Sequence, residues 1–197
     1  MARSVEFFFD FGSPTSYLAY TQMPGLAART GATVVYRPML LGGVFKATGN
    51  QSPVSIVAKG KWMFSDIARF AKRYSVSLNM NPHFPVNTLN AMRGAIAAEM
   101  QDASPVYNDA MFQAMWVKGE NLSEPSVAAA VLNAAGLDAQ RLLAACAEPG
   151  VKARLIANTE EAVARGAFGA PTFFVGNEMF FGQDRLDFVE ACLEQAL

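Results

Sequence analysis

The sequence has few cysteines and a single histidine. Only Cys146 and Cys192 are present among its 197 residues, and they lie far apart. Neither has a partner at CxxC or metal-ligand spacing, so we expect neither a redox pair nor a metal site. Free cysteine is among the most buried residue types, which favours two structural thiols in helical surroundings.

Long apolar runs and strong charge are also missing. No segment approaches the roughly 18 consecutive apolar residues of a membrane-spanning helix, and Arg3 and Glu6 stand where a secretory signal would be apolar. The formal net charge is −1, with Lys and Arg scattered, which argues against a nucleic-acid or anionic-membrane partner. We expect a soluble, cytoplasmic protein whose partners are small molecules or a second copy of itself.

Apolar side chains, in contrast, make up 52% of the chain. This length and composition suit one substantial domain, or one domain that carries a large insertion. Hydrophobic periodicity predicts strands at 5–9, 32–37, 171–175 and 179–181, and helices at about 17–31, 54–74, 88–101, 105–117, 124–135 and 138–166, with a final helix after Asp184. Residues 40–53 are predicted as a loop, with or without a short helix inside it.

The order of these elements is β-α-β, a long helical block, then β-β-α. It resembles an α/β thioredoxin fold interrupted by a large all-helical insertion. On this reading, residues 1–45 and 166–197 form the thioredoxin-like domain, and residues 46–165 form the insertion with its connecting loop.

The most informative stretch joins the first strand to the first helix. The apolar run ends at Asp10, and Ser13 and Pro14 follow. Serine is a strong helix N-cap and proline suits the first helical turn. Free N–H groups and the positive end of the helix dipole stabilise an anion at such a place. We therefore expect chemistry at this turn.

Thiol-disulfide oxidoreductases of this fold carry Cys-X-X-Cys here, whereas this chain reads Ser13-Pro14-Thr15-Ser16. Without either cysteine it has no dithiol of its own to exchange. The chain closely resembles the 2-hydroxychromene-2-carboxylate isomerase family and the related kappa-class glutathione transferases, with DsbA-like thioredoxin folds. The likeness covers nearly the whole chain and rests on five motifs in order: FDFGSPTSY, TGN, HFP, GAFGAPTFFV and FGQDR.

The resemblance implies that glutathione is the cofactor and supplies the sulfur. Ser13 would then be the catalytic residue, donating its hydroxyl to the glutathione thiolate; the alternative is a simple N-cap. The same resemblance makes Pro171 a cis-proline and assigns further glutathione contacts to Asn50, Ala170, Pro171, Gln183 and Asp184. Asn50 has the alternative role of a turn residue, and Asp184 that of an N-cap.

A substrate of that family is an aromatic carboxylate in α-keto or hemiketal form. We expect Lys46 or Lys59 to hold its carboxylate, although most surface lysines are merely solvated. Trp116, Phe84 and Phe45 are candidates for the walls of a ring pocket, although aromatic residues at helical spacing more often lie in the core. His83 is expected to be part of a structural turn rather than an acid-base catalyst.

The implied reaction is a glutathione-dependent cis-trans isomerisation that yields trans-o-hydroxybenzylidenepyruvate in naphthalene-like catabolism. The alternatives are a kappa-like glutathione transferase or peroxidase, and a non-catalytic thioredoxin-fold binding module that has lost its cysteines. Because the family's members are commonly dimers, we also expect a homodimer.

Overall fold

The computed structural model describes residues 3–195 and contains one mixed four-stranded sheet in that part of the chain. Its strands are β1 (Ser4–Phe9), β2 (Thr33–Pro38), β3 (Thr172–Val175) and β4 (Glu178–Phe181), in the spatial order β2-β1-β3-β4. β1 is parallel to β2 and antiparallel to β3, and β3 is antiparallel to β4. All four strands agree with the sequence prediction to within a residue or two.

Side chains alternate between the two faces of this sheet, as the pleat requires. Phe7, Phe9 and Phe173 are fully buried on one face, in the larger hydrophobic cluster. Phe8 and Phe174 are buried on the other face, in a smaller cluster with Val44 and Ala162 among its members. A sheet covered on both faces explains why β1 reads as an almost continuous apolar run.

The described part of the chain has nine helices. They are α1 (Pro14–Thr30), α2 (Leu41–Thr48), α3 (Val57–Tyr74), α4 (Leu89–Glu99), α5 (Ser104–Gln113), α6 (Pro125–Ala134), α7 (Ala139–Ala145), α8 (Pro149–Ala164) and α9 (Leu186–Gln195). Single helical turns at Pro53–Ser55 and Gln183–Arg185 precede α3 and α9, and a π-helical turn at Ala114–Lys118 extends α5.

One helix prediction needs correction, and one open alternative is decided. The helix predicted over residues 138–166 is two helices, because α7 ends at Ala145 and a new helix starts at Pro149 in its first turn. Proline lacks the N–H that a continuing helix would use, and it suits the first turn of a new helix. In the predicted loop, α2 occupies Leu41–Thr48, so the option with a helix inside is the right one.

The sheet and the central helices share one hydrophobic core. Phe112 on α5 lies with its ring 4.7 Å from that of Phe11 and 5.6 Å from that of Phe9. Residues 46–165 contain helices and connecting segments only. Their separation as an insertion domain stays a prediction, and residues 1, 2, 196 and 197 of the thioredoxin-like part lie outside the described residues.

A close helix contact inside this core gives a test of the fold. A Cβ at Gly94 on α4 would overlap the Tyr107 hydroxyl and lie 2.8 Å from Tyr107 Cζ. Gly94→Ala is therefore expected to lower the free energy of unfolding by about 1–3 kcal/mol, the usual cost of overpacking. Urea denaturation measures this loss.

The matched control is Gly150→Ala on α8, where a Cβ meets no atom within 4 Å. That change is expected to be neutral or to stabilise by up to about 1 kcal/mol. In a Tyr107→Phe background the cost of Gly94→Ala should shrink, because the overlapping oxygen is gone. An equal cost in both backgrounds would contradict the proposed helix contact.

Candidate active site

Ser13 caps α1 and is almost entirely buried, with 4% of its surface exposed. Its Oγ accepts a hydrogen bond from the Ser16 N–H at 3.1 Å, and its own N–H donates to the Asp10 carbonyl at 3.0 Å. The Tyr17 N–H donates to the Ser13 carbonyl, and Pro14 has no N–H. Thr15 therefore supplies the one N–H in this turn without a partner among the described residues.

Asp10 fixes the position of this turn through hydrogen bonds. Sequence reasoning assigned no role to this residue. Its carboxylate is fully buried and accepts hydrogen bonds from the Gly12 N–H and Leu41 N–H, each at 2.8 Å, and from the Thr88 hydroxyl at 2.7 Å. Burial raises the pKa of Asp10, and these three hydrogen bonds partly oppose the rise. The signal in the sequence was an acidic residue directly after three consecutive phenylalanines.

Ala170 faces this turn, and its peptide bond to Pro171 is cis, as the resemblance implied. The Ala170 carbonyl accepts hydrogen bonds from Ser13 Oγ at 3.0 Å and from Thr15 Oγ1 at 3.2 Å. A carbonyl oxygen has two lone pairs, so both are occupied. A peptide ligand that pairs with this carbonyl has to displace at least one hydroxyl.

Asn50 approaches the same segment from the loop after α2. Its side-chain amide donates to the Phe168 carbonyl at 2.8 Å, and its Oδ1 accepts from the Gln51 N–H. The ring of Phe168 lies 4.4 Å from that of Phe181, and both rings are partly exposed. Asn50 is thus a turn residue that also anchors the segment leading to Pro171.

Gln183 and Asp184 are joined to Pro171 through Gly182, whose N–H donates to the Pro171 carbonyl at 3.0 Å. Gln183 is buried, and its Oε1 accepts from the Tyr74 hydroxyl at 2.9 Å. Asp184 is exposed and pairs with Arg185 at 2.7 Å. Its carboxylate makes no capping bond among the described residues, so the N-cap expectation is wrong. The cause is the helical turn at Gln183–Arg185. Gly182 occupies its N-cap position, so Asp184 lies inside the turn.

A cavity of about 260 Å³ lies beside these two residues. Its lining includes Gln183 and Asp184, together with Tyr74, Arg73 and Arg29. Arg29 is engaged with Glu190. Arg73 was not selected from the sequence, since an arginine near the end of an amphipathic helix has no distinguishing pattern.

The candidate substrate residues differ in their surroundings. Lys46 and Lys59 are exposed on α2 and α3 and form no ion pair within residues 3–195. Phe84 is half-buried, with its ring 5.9 Å from that of Trp116. Trp116 itself is fully buried and donates its indole N–H to the Phe11 carbonyl at 2.8 Å. Trp116 thus belongs to the core, which does not fit direct contact with a substrate ring.

The other aromatic residues, the histidine and the two cysteines differ in their exposure. Phe45 is half-buried on α2, and the exposed indole is instead that of Trp62, three residues after Lys59 on α3. His83 is exposed in a turn, where its backbone N–H donates to Asn81 Oδ1. Cys146 is buried and Cys192 half-buried, both as free thiols.

The fold agrees with comparisons to known proteins. A family model, the DSBA-like thioredoxin domain, matches residues 4–194. A 2-hydroxychromene-2-carboxylate isomerase from Sphingobium xenophagum is 34% identical over 195 residues, covering 98% of this chain and 99% of the relative. The chain belongs to the 2-hydroxychromene-2-carboxylate isomerase family, within the DSBA-like thioredoxin domains.

Two further comparisons place the isomerase family beside its relatives. A solved structure of selenomethionine 2-hydroxychromene-2-carboxylate isomerase superposes with a TM-score of 0.87 at 29% identity, covering 98% of this chain and 95% of that chain. Glutathione S-transferase kappa 1 from Homo sapiens is 28% identical, covering 95% of this chain and 89% of the relative. The family expectation from the sequence motifs is confirmed.

Two classes of structure are not found in the described part of the molecule. No helix there is both long and apolar enough to cross a membrane. No group of three or more His, Cys, Asp or Glu side chains within residues 3–195 is arranged to hold a metal ion.

Burial of Asp10 predicts how stability depends on pH. A carboxyl group with a raised pKa binds a proton more readily in the folded chain than in the unfolded chain, so stability increases as pH falls through the folded-state pKa toward 3.8. Asp10→Asn cannot titrate and loses this gain. Urea unfolding from neutral pH downward should show the wild type gaining stability relative to the variant.

The control is Asp102→Asn, an exposed aspartate at φ 55°, which asparagine also tolerates. This variant retains the buried Asp10 carboxyl group, so it should gain stability as pH falls, as the wild type does. If the difference between the wild type and Asp10→Asn stays constant with pH, Asp10 does not titrate as its burial indicates.

Proposed function

We propose that this protein is a glutathione-dependent isomerase that converts 2-hydroxychromene-2-carboxylate-type substrates to trans-o-hydroxybenzylidenepyruvate in aromatic catabolism. The observation that carries the proposal is Ser13 at the cap of α1, opposite the cis Ala170–Pro171 bond, where a dithiol oxidoreductase of this fold has cysteine. The names of the relatives that cover nearly the whole chain support the reaction class. We also propose that it works as a cytoplasmic homodimer.

The chemical task of the site is to keep the glutathione sulfur ionised. A free thiol has a pKa of about 8.5, and the thiolate is the nucleophile. Ser13 would donate its hydroxyl to this thiolate, and the unpartnered Thr15 N–H and the dipole of α1 would add positive potential. No other ionisable group is required in direct contact with the sulfur.

Binding of glutathione would exchange hydrogen bonds rather than only add them. In the structure the Ser13 hydroxyl donates to the Ala170 carbonyl. When that hydroxyl turns to the thiolate, the carbonyl becomes free to accept the cysteinyl N–H of glutathione. The two events support each other. Rotation of the Ser13 hydroxyl frees the Ala170 carbonyl for the cysteinyl N–H, and that N–H replaces the donor that the carbonyl has lost.

The ends of glutathione need partners of their own. We propose that its γ-glutamyl end lies at Gln183 and Asp184, where the carboxylate of Asp184 would meet the ammonium group. The cavity that these two residues line, with Arg73 in its wall, supports this assignment. Pro171 would pack beside the cysteinyl residue, and Asn50 would approach it from the loop after α2.

For the substrate, we propose that Lys46 or Lys59 holds the carboxylate and that Phe84 lines the ring pocket. Trp116 would support Phe84 from the core, since their rings lie 5.9 Å apart. The exposed Trp62 shares a helix face with Lys59 at i, i+3 spacing and is a further candidate for the ring.

In the proposed reaction the thiolate forms a C–S bond to the conjugated carbon of the ring-opened substrate, and the double-bond electrons move toward the carbonyl. The resulting single bond rotates. The electrons then return, the C–S bond breaks, and the trans double bond and the free thiolate are formed. Glutathione is regenerated, so it acts as a cofactor.

The second candidate is a kappa-like transferase, which the kappa-named relatives favour. An assay with glutathione and 2-hydroxychromene-2-carboxylate separates the two. We expect the ultraviolet spectrum to change to that of the trans product while the glutathione concentration stays constant. Conjugation of a haloaromatic with loss of glutathione, without isomerisation, would support the transferase. Absence of glutathione binding by calorimetry would favour the non-catalytic module.

The role of Ser13 can be tested by its pH profile. Ser13→Ala is expected to raise the apparent thiol pKa of bound glutathione toward about 8.5. At neutral pH the rate should fall by roughly tenfold or more, the value of one hydrogen bond to a charged group. The measurement is turnover across pH, together with thiolate absorbance of the bound cofactor.

Ser13→Gly separates this role from helix capping, because glycine at an N-cap costs only a few tenths of a kcal/mol relative to serine. Both variants should lose turnover to the same extent. Thr15→Val removes the other hydroxyl on the Ala170 carbonyl and its contact with Ser13 Oγ at 3.0 Å, so it should change the apparent thiol pKa less than Ser13→Ala does. Unchanged rate and pH profile in Ser13→Ala would rule out the proposed stabilisation.

A further inference from the structure

A second cavity lies within the central helices, between α4, α5, α6, α7 and the start of α8. Its volume is about 310 Å³. The walls are formed mainly by small and apolar side chains, and the lining residues used below are Ala91, Arg93, Tyr107, Ala128, Cys146 and Lys152. This volume is at the small end of ligand pockets and suits one aromatic ring with a short side chain.

This cavity shares no lining residue with the proposed glutathione site. The nearest connection runs through Tyr107, whose ring centroid is 6.0 Å from that of Phe11, two residues before Ser13. Both rings are buried, and the Tyr107 hydroxyl donates to the Ala91 carbonyl at 2.8 Å. Packed core therefore separates the cavity from the Ser13 turn.

Two cations line the cavity. Arg93 on α4 and Lys152 on α8 are half-buried, and neither forms an ion pair with an acidic side chain among residues 3–195. Arg154, also on α8, pairs with Glu99 instead. Partly desolvated cations without a counter-charge favour an anion between them, and a guanidinium suits a carboxylate in particular.

The thiol in the wall takes no part in covalent chemistry. Burial raises the pKa of Cys146, and nearby Arg93 only partly opposes this. Its Sγ donates toward the Asn90 and Leu142 carbonyls at 3.4 Å. A neutral, engaged thiol is a poor nucleophile, so the chemistry of the cavity is that of binding.

We propose that the cavity between α4 and α8 is a second ligand site, which binds a small carboxylate with an apolar body through Arg93 and Lys152. The apolar walls take the ring or chain, and the two cations take the charge. The proposal stands apart from the proposed function, since it needs neither glutathione nor turnover.

Calorimetry with trans-cinnamate tests it, with cinnamyl alcohol as the uncharged match. We expect saturable cinnamate binding, and binding of the alcohol weaker by roughly tenfold. Arg93→Gln and Lys152→Gln should each weaken cinnamate by roughly tenfold and leave the alcohol unchanged. Arg93→Lys should recover part of the loss, and Arg154→Gln, the matched charge control, should have no effect.

Lys46→Gln and Lys59→Gln distinguish this site from the proposed active site, and neither should weaken the cinnamate binding described here. Saturating glutathione should also leave it in place. Ala128→Met, which fills the cavity from α6, should exclude both cinnamate and the alcohol while the thermal unfolding temperature shows a folded protein. Absence of saturable cinnamate binding, or binding that Arg93→Gln, Lys152→Gln and Ala128→Met do not change, overturns the proposal.

Discussion

The buried carboxylate of Asp10 joins the parts of the molecule that make the site. One oxygen accepts from the Gly12 N–H and the Thr88 hydroxyl, and the other accepts from the Leu41 N–H. These donors belong to the Ser13 turn, to the start of α4 and to the start of α2. A buried carboxylate is costly unless its lone pairs are filled, so each of the three segments is held at hydrogen-bond distance from the same group. The position of Ser13, three residues later, follows from that anchoring.

At the start of α1, this chain has a serine hydroxyl where dithiol oxidoreductases of the fold have a cysteine thiol. Ser13 takes the helix cap, and Ala170 receives its hydroxyl across the cis bond to Pro171. A serine cannot form a mixed disulfide, but it can donate to a thiolate brought by another molecule. The hydroxyl that donates to the Ala170 carbonyl is thus the group that would turn to a bound sulfur in the proposed function.

The helices between β2 and β3 do more than cover the sheet. Phe112 and Trp116 pack against the segment that leads from β1 to Ser13, and Trp116 holds the Phe11 carbonyl. Both side chains are fully buried. Further out, the helices diverge and leave the cavity between Arg93 and Lys152. The helical part therefore has an inner side that supports the Ser13 turn and an outer side that contains a separate cavity.

The sequence by itself determined the strands, most helices, the family and the cap at Ser13, because these depend on local signals. The apolar run before Asp10, Pro14 in the first turn, and Gly176 before the second strand of the hairpin each act within a few residues. Only the tertiary structure decided that Asp10 is an anchor, that Trp116 is core, that Asp184 does not cap, and that the Ala170 carbonyl is occupied by two hydroxyls. Each of these depends on groups brought together from distant parts of the chain, and the partner that a side chain meets across the core leaves no periodicity in the sequence.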